Sequence, residues 1–267
     1  IYDYHYDSSG GAGLFCLMNS GTFYGRNPPQ FCAYLKHVAG WATTVDVTYR
    51  DGLLASVAAL PEDPDFNKFY RYEKPGTPAE YFLFENRQQT GRDANIPASG
   101  VAVWHIDELG DRDNQSLAYN DSHKNYECTL VQADNRWDLQ MNINDGDATD
   151  LYYAGNPAAG YVNALTPGSA PGSRWWDGTD SLMYARHFST NGTVMTFRFV
   201  PPPPVMLRKG VLPPGWIGTY YNLPLNAVDG IKPYTWQIIA GVLPAGLALD
   251  PSGAVTGMPV TVENAAF

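Results

Sequence analysis

The sequence predicts a mainly β protein whose central part is an antiparallel β-sandwich. Three observations support this fold class. Apolar residues make up 44% of the 267 residues and charged residues only 16%, a balance typical of a chain with a packed core. Glycine and proline are frequent, at 26 and 21 residues, which provides many turns. Short runs of branched and aromatic residues recur between these turns, without long helical patterns.

Eight such runs lie between residues 44 and 200. They cover residues 44–49, 53–60, 68–72, 80–88, 100–108, 126–134, 182–188 and 193–200. In residues 101–107, alternate side chains point to opposite faces of the strand, and both faces carry apolar residues. We therefore predict that this strand is central in its sheet.

The segment before these strands, residues 1–43, is different in character. It is rich in glycine and loop-like as far as Gly25, and then shows apolar residues at helical spacing. Pro28 and Pro29 predict the start of a short amphipathic helix, and Gly40 predicts its end.

A run of four prolines, residues 201–204, marks the clearest boundary of the chain. We predict a stiff linker over residues 201–211, because polyproline spaces modules and cannot join a sheet interior. Residues 212–267 then read as short strands closed by Pro and Gly turns, which predicts most of a second, small β module.

The charge balance excludes two classes of partner. The chain has 17 Lys and Arg against 27 Asp and Glu, a formal net charge of −10. Nucleic acids and anionic membranes require a cationic surface, so neither is an expected partner. No apolar stretch is long enough to predict a membrane span.

The C-terminal segment carries a specific motif series. Its residues are Leu212, Pro213, Gly215, Gly218, Tyr220, Gly230, Pro233, Tyr234, Trp236, Ile238, Leu243, Pro244, Gly246, Leu247, Leu249, Gly253, Gly257 and Pro259. In this order they resemble bacterial Ig-like repeats. The resemblance implies an extracellular β-sandwich module over residues 212–267, truncated before its last strand, of a kind found in surface and secreted proteins.

The first 200 residues carry a second motif series. It comprises Ile1-Tyr2-Asp3, Leu17-Met18-Asn19-Ser20-Gly21, Gly40-Trp41, EYFLFENRQ at 80–88, GVAVWHID at 100–107, LVQAD at 130–134 and MTF at 195–197. These resemble the part of immune inhibitor A-type secreted metallopeptidases that follows the zinc-binding motif. The resemblance implies that residues 1–43 end a zincin catalytic domain, with Met18 as its Met-turn residue, and that residues 44–200 form the sandwich.

The zinc-binding motif itself is not in this sequence. A zincin holds Zn²⁺ with two His one helical turn apart and uses an adjacent Glu as general base. None of the five His stands in an HExxH pattern. The resemblance therefore implies that the zinc ligands and the base precede Ile1. We expect a zinc cofactor and protein or peptide substrates only for the intact parent enzyme, and no catalytic residue in this chain.

A second hypothesis assigns the chain to a different functional class. In it, the chain is an extracellular binding or adhesion protein that recognises polysaccharide or a cell surface through exposed aromatics such as Trp137, Trp175 and Trp176. The sequence upstream of Ile1 distinguishes the hypotheses, because an HExxH motif just before Ile1 supports the peptidase.

An acidic loop offers candidate metal ligands. Oxygen-bearing side chains crowd around one glycine at Asn142, Asn144, Asp145, Asp147 and Asp150. Calcium binds such sets of carboxylates, amides and carbonyls and would offset their repulsion. The order does not match an EF-hand, and a solvated acidic turn is an equal alternative.

Three cysteines leave open a disulfide. Cys16 and Cys32 flank the Met18 turn, and the resemblance to secreted enzymes favours a bond between them over two buried free thiols. Cys128 alternates like a core strand residue, which predicts a free, buried thiol.

Two further polar groups have structural interpretations. His105 and Asp107 share a strand face and could join His123 in a metal or acid–base site, but a buried His held by a neighbouring carboxylate is the favoured interpretation. The Glu85-Asn86-Arg87 run is likewise interpreted as structural.

Overall fold

The computed structural model describes residues 11–48, 50, 52–110, 125–200, 206–207, 213–228, 234, 236–238, 241–251 and 253–262. The chain divides into two compact units, Ile1–Pro201 and Pro202–Phe267. The division falls at the start of the predicted linker. Residues 11–43 belong to the same unit as the strands that follow them.

Among the described residues, the first unit contains one α-helix and nine strands. They are α1 (Ala33–Val38), β1 (Thr43–Asp46), β2 (Leu54–Ala58), β3 (Lys68–Glu73), β4 (Glu80–Arg87), β5 (Gly100–Asp107), β6 (Cys128–Leu130), β7 (Ala164–Leu165), β8 (Ala185–Arg186) and β9 (Val194–Phe199). Each of the eight predicted segments overlaps one of these strands, and only β1 and β3 extend beyond their segments, by one residue each. Strand β7, with only two residues, is too short to leave a periodic pattern.

The strands of the first unit form two sheets. The larger has the order β1-β3-β4-β5-β6, and the smaller has the order β2-β9-β8-β7. All pairs are antiparallel except β1 with β3, which is parallel. Strand β5 lies between β4 and β6, so its predicted central position is confirmed. The mainly β, largely antiparallel character of the chain is therefore as predicted.

The larger sheet is covered on both faces. One face contributes Phe84 and Val103 to a core cluster that also contains Val57 and Phe197 of the smaller sheet. The other face, including Trp104, packs in a second cluster with residues of α1 and of the segment before it. Every residue of β4 and β5 is buried, which explains why neither strand shows simple polar alternation.

Helix α1 is shorter than predicted. It begins at Ala33 with Cys32 as its N-cap, not at Pro28 or Pro29. The preceding stretch makes other contacts, because the Gln30 backbone N–H donates to Asp93 Oδ1 at 2.8 Å and the Gln30 carbonyl accepts from Leu17 N at 3.2 Å. Side-chain and loop contacts thus hold this stretch extended. In the described part of the chain, no helix has the length and apolarity to cross a bilayer.

The second unit contains five short strands in its described residues. They are β10 (Met206–Leu207), β11 (Tyr221–Pro224), β12 (Ala227–Val228), β13 (Leu247–Leu249) and β14 (Ala254–Gly257). Strands β11, β14 and β13 form a three-stranded antiparallel sheet in that order, and β10 pairs with β12. No strand is formed by residues 234 and 236–238, the described part of the segment that carries the motif residues Tyr234, Trp236 and Ile238.

Candidate metal site and the Met18 segment

Met18 lies in a turn that packs against the larger sheet. The turn is closed by the backbone N–H groups of Asn19 and Gly21, which both donate to the Cys16 carbonyl at 3.1 Å. The Met18 side chain is partly buried against the cluster that contains Trp104. We call residues 12–24, which carry this turn and two 3₁₀ helices, the Met18 segment.

Arg87 fixes the Met18 segment to the sheet. Its guanidinium is 1% exposed and donates from Nη1 to the Phe15 carbonyl at 2.7 Å. Its Nε and Nη2 donate to the two oxygens of Asp93 at 2.9 and 2.8 Å. Burial alone would raise the pKa of Asp93, but the Arg87 charge and hydrogen bonds lower it. The pair is therefore ionised, and such bidentate pairs fix geometry strongly.

Glu85 and Asn86, the two residues before Arg87, bind β4 to the elements packed on either face of the larger sheet. Glu85 Oε2 accepts from the N–H of Ala33, the first residue of α1, at 3.1 Å, and Oε1 accepts from Lys36 Nζ at 2.8 Å. On the opposite face, Asn86 Nδ2 donates to the carbonyl of Val57 in β2 at 3.0 Å. It also donates to the carbonyls of residues 192 and 193 at 3.0 and 3.1 Å. The predicted structural role of this run is confirmed.

Three carboxylates converge beside the Met18 segment. Ligand oxygens of Asp134, Asp147 and Asp150 all lie within 4.8 Å of one another. Thr149 Oγ1 lies 2.9 Å from Asp134 Oδ2 and 2.6 Å from Asp147 Oδ1, so its single proton is shared between the two carboxylates. We call these three carboxylates the Asp134 cluster. Among the described residues it is the one group of three or more His, Cys, Asp or Glu side chains found in such an arrangement, and it contains no His.

The Asp134 cluster shares only two residues with the predicted calcium loop. Asp145 accepts a hydrogen bond from Ser20 Oγ at 2.6 Å, outside the cluster. Asn144 donates to Asp138 Oδ2 at 3.1 Å and caps a turn through the Gly146 N–H. Asn142 is exposed, with a left-handed φ of 54°. In this structure, local turns and the Met18 segment engage polar atoms of Asn144 and Asp145, and the Asp134 cluster includes none of these three residues.

Asp134 was missed because it comes from another part of the chain. It ends the 126–134 segment that contains β6, and Ala133, its neighbour, donates its N–H to the Asp150 carbonyl at 2.8 Å. That backbone contact brings the strand-end carboxylate to the loop. The only signal in the sequence was an Asp at the end of a predicted strand.

Asp150 is the most perturbed carboxylate of the cluster. Its residue is 0% exposed, and burial together with the charges of Asp147 and Asp134 raises its pKa to about 7. Hydrogen bonds from Gln132 Nε2 at 2.7 Å and from the Asp147 N–H at 2.6 Å offset only part of this effect. The nearest described cation is Arg136, whose Nη1 lies 3.8 Å from Asp147 Oδ2 and whose side chain is 62% exposed. The cluster thus holds weakly compensated negative charge.

The acidic loop contacts the Met18 segment directly. The Asp145 side chain holds Ser20, and its carbonyl accepts from the Leu14 N–H at 2.8 Å. Gly13 has a φ of +48°, and a Cβ at that position would lie 2.3 Å from the Asp145 carbonyl oxygen. The close approach therefore requires glycine at position 13.

His105 is a packed structural residue. Its Nε2 lies 3.1 Å from Glu80 Oε1, and its ring stacks on Phe82 and Trp176 with centroid distances of 4.2 and 4.7 Å. Burial lowers its pKa despite the Glu80 charge. The structural interpretation is confirmed, although the carboxylate partner is Glu80 and not the adjacent Asp107. His123 lies outside the described residues.

Two other sets of predictions concern cysteine and tryptophan side chains. Cys16 and Cys32 are both buried and are not bonded to each other in this structure, where the Cys32 N–H donates to Cys16 Sγ at 3.4 Å. Cys128 is buried as predicted. Trp175 was expected to be exposed, but it is 4% exposed because it fills the core between the sheets. Trp137 is 38% exposed.

Comparisons of this chain with protein-family models, with curated proteins and with solved structures found no match.

Proposed function

We propose that this chain is the C-terminal part of a secreted zinc-dependent endopeptidase acting on protein substrates, of the immune inhibitor A type. One contact supports this proposal above all. Arg87, in the segment that resembles the family's EYFLxENRQ motif, donates to Phe15, three residues before the predicted Met-turn residue Met18. A residue of one motif segment thus contacts the backbone two residues before another motif segment, across 72 residues of sequence.

In this proposal the described residues support a zinc site that others form. Zinc in the parent enzyme would polarise the peptide carbonyl and supply hydroxide. Met18 would give its ligands an apolar base, and Arg87 and Asp145 would fix the turn that carries it. The Ig-like and sandwich assignments of the two units belong to the same proposal, with the second unit as a tether or spacer.

The first test is activity. Purified residues 1–267 should not hydrolyse casein in a chelator-sensitive way, whereas a chain extended upstream through an HExxH motif should. Replacing the motif Glu by Gln in the extended chain should abolish hydrolysis while leaving its circular dichroism spectrum unchanged. Chelator-sensitive hydrolysis by residues 1–267, or a complete gene without HExxH upstream, would contradict the proposal.

The binding hypothesis has less support. Of its three tryptophans, Trp175 is in the core and Trp176 stacks on His105, which leaves Trp137 as an exposed candidate. Affinity electrophoresis against polysaccharides, with Trp137→Ala as the variant and Trp41→Ala, 60% exposed, as the control, would test it. Retardation lost only in Trp137→Ala would favour binding over the peptidase.

We also propose that the Asp134 cluster binds calcium, as the sequence predicted for the neighbouring loop. Three convergent carboxylates, one of them fully buried, would gain a charge partner from a divalent cation. Millimolar Ca²⁺ should raise the melting temperature of the chain but not that of Asp147→Ala. Asn142→Gly, which removes a sequence-predicted ligand outside the cluster, should respond like the wild type. An unchanged wild-type melting temperature would remove the site.

A further inference from the structure

The three cysteines occupy one buried site beneath α1. Each is 0% exposed, and all belong to the same core cluster. Cys16 opens the turn of the Met18 segment, Cys32 caps the N-terminus of α1, and Cys128 begins β6. Three different structural elements therefore bring a thiol to one place.

Cys32 is the central thiol of the three. Its backbone N–H donates to Cys16 Sγ at 3.4 Å, and its thiol is hydrogen-bonded to the thiols of both Cys16 and Cys128. A second contact holds α1 against the start of β6, because Tyr34 OH donates to Glu127 Oε1 at 2.7 Å.

This geometry forces a choice of partner. Cys32 is adjacent to two thiols, but one sulfur can form only one disulfide. We propose that Cys32 is the shared member of two mutually exclusive disulfides, pairing on oxidation with either Cys16 or Cys128 and leaving the other as a thiol.

The chemistry needs an external disulfide such as oxidised glutathione. The Cys32 thiolate attacks it, forming a mixed disulfide and releasing one thiolate. The thiolate of Cys16 or Cys128 then attacks the Cys32 sulfur and expels the second. Two protein thiols lose their protons and two electrons, and the external disulfide is reduced to two thiols. Burial raises the pKa of all three cysteines, so exchange is slow in the closed fold and proceeds when the N-terminal end of α1 opens or while the chain folds.

The two bonds have different mechanical consequences. A Cys16–Cys32 bond ties the Met18 turn to α1. A Cys32–Cys128 bond ties α1 to β6 and leaves the Met18 segment held by the Arg87 and Asp145 contacts. The choice of bond thus sets how firmly the Met18 segment is held. The inference concerns the thiols alone and does not depend on the proposed peptidase activity.

The test is disulfide mapping of the full 267-residue chain. The reduced protein is incubated natively, and in parallel refolded, in a reduced and oxidised glutathione buffer. Each sample is then quenched with acid, alkylated, digested and analysed by mass spectrometry. We expect Cys32 linked to Cys16 in some molecules and to Cys128 in others. Cys16→Ser should give only the Cys32–Cys128 bond, and Cys128→Ser only the Cys16–Cys32 bond.

The decisive variant is Cys32→Ser, which should form no intramolecular disulfide and keep two alkylatable thiols. A Cys16–Cys128 bond in the wild type or in this variant would overturn the proposal. Formation of the Cys16–Cys32 bond alone, with none in refolded Cys16→Ser, would also overturn it. Failure of refolded wild type to form any bond would do the same. Wild-type mapping needs no substitution, so a variant that misfolds leaves the proposal testable.

Discussion

Two buried charged groups flank the Met18 segment, and they differ in how their charge is balanced. On one side, Arg87 makes a bidentate pair with Asp93 and also donates to the Phe15 carbonyl. On the other, Asp150 is buried with Asp147 and Asp134 beside it, and an exposed Arg136 is the nearest described cation. Only the first of these groups is neutralised within the described part of the protein.

The difference teaches how to separate structural charges from a candidate ligand site. A buried ion pair with its hydrogen bonds satisfied has no need of a further partner. A buried carboxylate with like charges beside it avoids ionisation, and its raised pKa records that cost. The Arg87 pair therefore serves packing, whereas the Asp134 cluster suits a cation.

The largest expected effect on stability comes from breaking the Arg87–Asp93 pair. Arg87→Met would leave Asp93 as a buried charge without its cation, so we expect a loss of about 3–5 kcal/mol in the free energy of unfolding, measured with urea. Arg136→Met is the matched control, because its side chain is 62% exposed and should change stability by less than about 0.5 kcal/mol. Equal losses in the two variants would show that the two groups do not differ.

The next effect is the dependence of stability on pH that Asp150, in the Asp134 cluster, produces. In the unfolded chain Asp150 titrates near about 3.9, but in the fold its pKa is about 7. The folded state holds the Asp150 proton more tightly than the unfolded state, so protonation of Asp150 contributes to stability. This contribution is fully present below about pH 4 and is lost as pH rises through about 7. Through this group, the free energy of unfolding is lower by about 4 kcal/mol at about pH 8 than below about pH 4.

Asp150→Asn removes this titration. Without calcium it should flatten the fall in stability between about pH 5 and about pH 8, and should be more stable than the wild type at the upper end by about 2 kcal/mol. The gain is smaller than the full effect of about 4 kcal/mol because the two hydrogen bonds end on different oxygens of Asp150, and Asn replaces one of these acceptors with an NH2 group. Urea unfolding of both proteins at the two pH values measures it, and parallel pH profiles would contradict the assignment.

Calcium should stabilise the fold mainly through the Asp134 cluster, whereas ionisation of Asp150 alone destabilises it. At a concentration about 100 times its dissociation constant it should stabilise the wild type by about 3 kcal/mol. The gain should be larger at about pH 8 than at about pH 6, because the cation must displace the proton on Asp150. Arg87→Met should keep the calcium response even if its overall stability is lower. If Arg87→Met lost the calcium response, the Arg87–Asp93 pair and the Asp134 cluster would not be independent.

The smallest effect tests the link between the acidic loop and the Met18 segment. Asp145→Ala removes the acceptor of Ser20 Oγ and should cost about 1 kcal/mol, whereas Asp145→Asn keeps an acceptor and should cost less. The ¹³C methyl resonance of Met18, assigned with Met18→Leu, should shift in the Ala variant and return towards its wild-type position in Asn. An unmoved resonance in Asp145→Ala would show that the contact does not position the turn.

Much of the fold was predictable from local pattern. The eight strand segments, the central position of β5, the break at the proline run and the burial of Cys128 follow from side-chain alternation and turn residues, which act over a few positions. The start of α1 was not predictable, because distant Asp93 and Leu17 bind the stretch around Gln30.

The candidate site shows the same division. The sequence by itself determined that acidic residues crowd a loop after residue 141 and that Glu85, Asn86 and Arg87 form a structural run. Only the tertiary structure decided that Asp134 joins Asp147 and Asp150, that Asp145 turns instead to Ser20, and that Cys32 lies between two thiols. The physical reason is range. Alternation and turn preference act between neighbours in the chain, whereas convergence of charges and thiols depends on backbone pairings between residues far apart in sequence.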